Sequence, residues 1–276
     1  MATALVPDSR VEEADWFSDA LAGFGGRVEQ VLPGTYPAYA RILHPANGGG
    51  AVPSRWSEVA ASVGTVVHPL AQFGALARRE SSHRLGAPGW DGQNPFEGSL
   101  GIHELTILCG ILAETTQPGE RCWATVWEGW GTLPTIWQDR FPRIVQPYRA
   151  YFLFERRLDE IVDLAAELGR LYLPSRSSAH LVDVGTDADA ARSEPPAPAE
   201  PTPEVVLHVQ SPSQWWPASR DWCVATEIDF DSTLVGGSES LVQRILDDGR
   251  LEAFPVSPTD DLGSGGDTVN ELLGSG

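Results

Sequence analysis

The chain has no lysine: all 19 of its basic residues are arginine. Schiff-base chemistry on lysine, the phosphate-binding lysine of a P-loop and a lysine general base are therefore excluded. Methionine is confined to Met1. Cysteine is scarce as well, with Cys109, Cys122 and Cys223 standing alone and no CxxC spacing. An odd number of dispersed cysteines argues against a disulfide framework or a zinc ribbon. No run approaches the ~18 apolar residues of a membrane span, and the opening MATALVPDSRVEEAD lacks the charged and apolar regions of a signal peptide. A cytoplasmic location is the expectation. Positive charge is also short. The 38 acidic residues leave a net charge of −19, which disfavours nucleic acid and anionic lipid as partners. A basic protein partner, a cationic small-molecule ligand or a metal ion remains compatible.

What is present predicts an α+β protein with a mixed or largely antiparallel sheet and several flanking helices. Ser9–Glu12 has the pattern of a capping box before a helix with Val11, Ala14, Phe17 and Leu21 on its apolar face, stopping at Gly25-Gly26. Residues 27–32 and 36–43 read as two strands, and a short helix follows Ser54. A brief strand is expected at Thr65–His68. Ile102, Leu105, Leu108, Cys109 and Leu112 repeat at helical spacing. Strand signals return at 121–128 and 148–154, and Leu158–Leu168 marks an amphipathic helix.

Residues 185–204 hold five prolines and five alanines and no large apolar side chain, the composition of a solvated, disordered insertion. A strand near 205–209, a helix near 238–248 and a strand near 251–256 follow. The C-terminal elements are too few for a core of their own. One domain over 1–259 is therefore expected, with the later strands completing a sheet begun before the insertion and a Gly/Ser-rich disordered tail over 260–276.

The most unusual stretch is Trp222–Ser238, WCVATEIDFDSTLVGGS. Read as one strand, its period of two places Glu227, Asp229 and Asp231 on one face. That face is either the solvated side of an edge strand or a divalent-cation site. Gly236-Gly237 reads as a turn opening a helix. Upstream, Trp215 and Trp216 stand in a loop-like SPSQWWP, with Arg220 near enough to stack on one of them or to pair with the acids. Trp215, Trp216 and Arg220 are thus candidate ligand-binding residues, and Glu227, Asp229 and Asp231 are candidate metal ligands. Trp123 and Trp127 share a strand face and read as core or as an aromatic platform. The histidines show no HxH or HExxH spacing.

The run DFDSTLV at Asp229–Val235 resembles the first motif of haloacid-dehalogenase-type phosphatases, DxDxT followed by apolar residues. The resemblance implies Asp229 as nucleophile and Asp231 as general acid, with bound Mg2+. In that family the motif opens a doubly wound domain and a later basic motif supplies a lysine, which this chain lacks. HPANGG, CWATVWEGWG, YFLF and the run from Gln210 to Ser238 are similar to parts of an uncharacterised family of acidic proteins from high-GC bacteria, and this second resemblance implies no site residue. The sequence points to a non-catalytic binding or regulatory protein, without cofactor, that engages a protein or cationic ligand through an aromatic and acidic surface. The alternative is a metal-dependent phosphoester hydrolase using Asp229 and Asp231.

Overall fold

The computed structural model describes residues 5–46, 53–77, 89–171 and 209–273. The expected insertion at 185–204 and the expected strand near 205–209 fall outside them, except for Val209. Eight strands form one open antiparallel sheet. They are β1 (Ala38–Leu43), β2 (Arg121–Trp127), β3 (Ile144–Gln146), β4 (Arg149–Arg157), β5 (Gln214–Pro217), β6 (Cys223–Ala225), β7 (Ser232–Gly237) and β8 (Ala253–Val256). Their spatial order is β3-β4-β2-β5-β6-β7-β1-β8. Strands from before residue 172 and after residue 208 alternate within this one sheet. The C-terminal strands therefore complete a sheet begun earlier, and the protein is α+β.

Among the described residues the α-helices are α1 (Asp15–Ala20), α2 (Val28–Val31), α3 (Trp56–Val63), α4 (Phe73–Leu76), α5 (Ile102–Leu112), α6 (Ile136–Arg140), α7 (Ile161–Arg170), α8 (Glu239–Asp247) and α9 (Thr268–Leu273). None among the described residues is long and apolar enough to cross a membrane.

Strand alternation sends successive side chains to opposite faces, and both faces are covered. On one face Ala124, Val126, Phe152, Phe154, Trp215, Val224 and Val235 pack under α5, α7 and α8. On the other, Trp123, Tyr151, Leu153, Trp216, Ala225 and Leu234 pack under α1 and α2. Leu43, Trp56, Phe73 and Leu76 form a third cluster with α3 and α4. The helical periodicity at 102–112 and 158–168 corresponds to α5 and α7, and Ser238 caps α8 by accepting from the Leu241 amide.

Several expectations are corrected. Residues 27–32 hold α2, because the Gln30 side chain accepts from the Arg27 amide and closes one helical turn. Thr65–His68 forms no strand. The run 222–231 is not one strand: β6 ends at Ala225 and β7 begins at Ser232, so the acids lie in a hairpin connection. Gly236 and Gly237 belong to β7 rather than to a turn. A Cβ on Gly236 would stand 2.6 Å from the Tyr36 ring and 2.7 Å from Leu32, so glycine permits the layer above to close.

Within the expected disordered tail, Leu262, Asp267 and Asn270 anchor the segment to the fold. Leu262 is buried, and Asp267 is wholly enclosed at the start of α9. Asp267 accepts from the amides of Gln72, Val269 and Asn270 and from His68 Nε2.

Candidate functional site

Two hairpin tips meet at one end of the sheet. The first joins β3 to β4 through only Pro147 and Tyr148. Gln146 and Arg149 are the closing pair, and Tyr148 has φ 63°. Proline fixes the first turn position, and the second needs positive φ, which normally favours glycine or asparagine. A tyrosine here is strained and 83% exposed. Its ring lies 5.0 Å from that of Phe24, which is also exposed.

The second tip is the β6–β7 connection. Phe230 N–H donates to the Glu227 carbonyl at 3.0 Å, and Ile228 N–H donates to the Glu227 carboxylate at 2.7 Å. This self-capped turn needs no glycine, proline or asparagine. Gly98, at φ 71°, packs against it: a Cβ there would meet the Ile228 carbonyl at 2.7 Å.

Arg149 links the tips. Its Nη2 donates to Glu227 at 2.9 Å and to Asp229 at 3.0 Å. Its guanidinium carbon sits 5.1 Å from the Phe24 ring centre and 5.7 Å from that of Trp127, within cation–π range. Its Nε is buried without a hydrogen-bond partner among the described residues. Glu227 is mostly enclosed, whereas the Asp229 side chain is 74% exposed. Beneath them Gln146 and Gln214 exchange reciprocal amide hydrogen bonds of 3.0 and 3.1 Å, a buried pair that fixes the floor. The partly open space among Phe24, Gln146, Arg149, Tyr151, Gln214 and Glu227 is about 30 Å3, room for roughly one or two waters. Burial raises the Tyr151 hydroxyl pKa, so it stays a neutral donor.

Asp231 belongs elsewhere. Its carboxylate lies 3.4 Å from Arg41 Nη2. Arg41 is fully buried and also donates to Ser232 Oγ and to the carbonyls of Pro69 and Ala71. Burial pushes the Asp231 carboxyl pKa up, and Arg41 pulls it part of the way back. On the opposite face, His44 is enclosed. Its Nδ1 donates to the Phe96 carbonyl at 2.6 Å. That leaves Nε2 to accept from Thr233 Oγ1 at 2.9 Å, and Thr226 completes the chain to Thr233 at 2.7 Å. Burial lowers the His44 pKa to about 4.

The six sequence-predicted site residues thus separate. Glu227 and Asp229 share one arginine, and Asp231 answers to another. No group of three or more His, Cys, Asp or Glu among the described residues is placed to hold a metal ion. The expectation of Trp215 and Trp216 as accessible ligand-binding residues is corrected: they are each 1% exposed and point to opposite faces. Trp215 packs against Trp222 at 5.2 Å, and Trp216 stacks on Phe17 at 5.4 Å. Arg220 lies over Trp16 at 4.9 Å, not over either of them. Phe24, Gln146, Tyr148, Arg149 and Gln214 are the residues that sequence reasoning missed. The available signal was QPYR between apolar runs, a proline-led two-residue turn.

A second concavity, about 930 Å3, lies at the far end of β2 and β4, lined by Asp8, Arg121, Glu155, Arg156, Arg157 and Glu160. Its arginines face resident acids: Arg121 to Glu155 at 3.6 Å, Arg156 to Glu167 at 3.9 Å and Arg157 to Asp159 at 3.0 Å. All three cysteines are buried, and burial pushes the Cys109 and Cys122 thiols up to about 12, unlike reactive thiolates. Comparison with known proteins finds no family model, no curated protein and no solved structure that matches the chain.

Proposed function

We propose that the chain is a non-catalytic binding or regulatory protein that captures a basic segment of a partner protein at the two hairpin tips. The observation that carries this reading is Tyr148, a bulky, exposed aromatic held in a left-handed conformation over Phe24 and next in sequence to Arg149, which pairs with the exposed carboxylate of Asp229. Strained, exposed residues cluster at functional surfaces, and a tyrosine offers contact area there that glycine would not. Ligand pockets of about 300–1,000 Å3 bury drug-sized molecules. The 30 Å3 space cannot do so, which favours a surface for a protein over a container for a metabolite. Charge selects the partner. Arg149 is outnumbered by Glu227 and Asp229, and the whole chain carries −19. An incoming arginine or lysine would stack on Phe24 and Tyr148 and pair with Asp229.

The test is fluorescence anisotropy with a labelled arginine-rich peptide at physiological salt, using wild type, Asp229→Asn and Tyr148→Gly. Each substitution is expected to weaken capture by about two- to fivefold, the size of one exposed cation–π or ion-pair contact, and magnesium should have no effect. Tyr148→Gly removes no charge, so its loss separates a built site from diffuse attraction to an acidic protein. Equal capture by all three proteins would refute the reading. Magnesium-dependent phosphoester hydrolysis abolished by Asp229→Asn would replace it with the hydrolase alternative.

A further inference from the structure

The sheet is open, so it ends in two edge strands, β8 and β3. Natural proteins blunt such edges with proline or cover them. In β8, Pro255 occupies a position paired with Ala40 and has no N–H to offer. β3 carries no proline, and at its middle Val145 is 79% exposed. The direction of its backbone groups follows from the register. Gln146 and Arg149 close a two-residue turn and form a hydrogen-bonded pair, so the next pair, Val145 and Ala150, is a non-hydrogen-bonded one. The Ala150 carbonyl confirms this, because it accepts from the Glu128 amide, on the β2 side, at 2.9 Å. The Val145 N–H and C=O therefore point away from the sheet, and no described segment pairs with them.

We infer that the outer edge of β3 takes an extended basic segment of a partner protein as an added strand. Main-chain hydrogen bonds to Val145 supply the register, and alternate side chains supply the selectivity. The choice of a basic partner rests on the proposed function. A second copy would bring another chain of −19 to the same edge, and like charge opposes that pairing. The alternating side chains of an added strand fall on the two sheet faces. One set follows Gln146 and Arg149 toward Phe24, Glu227 and Asp229, and the other lies beside Val145. A strand alternating arginine with a β-branched residue fits both.

The probe is a short fluorescein-labelled peptide alternating valine and arginine, titrated into the full chain. Two N-methylated forms are compared, one methylated at every valine and one at every arginine. An added strand turns one set of N–H groups to β3 and the other to solvent. One form should bind at least about tenfold weaker, and the other should match the unmodified peptide. Val145→Pro, at an edge that tolerates proline, should give the same loss with an unchanged circular dichroism spectrum. If the wild type fails to bind, or if both methylated forms bind like the parent, strand addition is overturned. Loss in Asp229→Asn without any effect of N-methylation or Val145→Pro leaves the hairpin-tip site standing and removes the edge. The opposite pattern keeps the edge and removes the tip site.

Discussion

His44 and Tyr148 are opposite uses of a single residue. His44 is held neutral by burial, with its tautomer set by the Phe96 carbonyl. Above the ordinary value of 6.5 the imidazole is neutral in both folded and unfolded chains, and its contribution is complete. As pH falls below 6.5 only the unfolded chain takes up the proton, so stability declines until about pH 4, where the folded His44 also titrates. The loss over that window is about 3 kcal/mol. Urea unfolding at pH 7 and pH 4 should show it, and His44→Gln should flatten the slope by one proton. Tyr148 stores strain instead. Replacing it with glycine relieves about 1–2 kcal/mol of left-handed backbone cost, against a smaller entropy penalty. Tyr148→Gly should therefore raise stability by up to about 1 kcal/mol in urea while weakening capture. A loss of stability would mean that the ring is part of the packing rather than of a binding surface.

At the scale of elements, the legible ones were those whose pattern is long enough to repeat. The five apolar positions of α5 and the alternation of β2 and β4 could be read from the sequence. Three-residue β3 could not, because it is too short to repeat its period of two, and α2 was misread because Val28, Val31 and Leu32 favour a strand until Gln30 closes the turn. The acidic hairpin was invisible for a related reason. Its turn is made by the Glu227 side chain on its own backbone, without any of the usual turn residues. Two of the three acids, Glu227 and Asp229, proved to face one site, but the arginine that unites them is 78 residues away in sequence from Glu227. Glycine and serine in the C-terminal segment hid its anchor, although Asp267 followed three residues later by Asn270 is an N-cap signal.

Burial raises the Asp267 carboxyl, but hydrogen bonds from Asn270, Gln72 and His68 outweigh it and hold the pKa below 3.8. Its contribution is thus complete above that value and fades as pH falls below it. Asp267→Ala should cost about 2–4 kcal/mol by leaving several buried donors unpaired. Limited proteolysis should then cut within 258–268 faster than in the wild type. Equal protection in both proteins would show that Leu262 and α9 hold the segment unaided.

For the whole molecule, an open sheet covered on both faces leaves few places to work. The acids outnumber the arginines two to one, so a basic partner approaches an attractive field, and its on-rate should fall as salt rises. Such steering brings the partner near without telling it where to stop. Under the proposed function the stopping place is the end of the sheet where Tyr148, Phe24 and Asp229 are exposed and where Arg149 already shows how a guanidinium is held. The most direct test is amide-resolved NMR of the wild-type chain titrated with the valine–arginine peptide at physiological salt. Shifts concentrated at the amides of Phe24, Ile144–Gln146, Tyr148–Ala150 and Glu227–Asp229 are the predicted result. Shifts spread over the acidic surface, on α3 and α8 as much as at the hairpin tips, would contradict it.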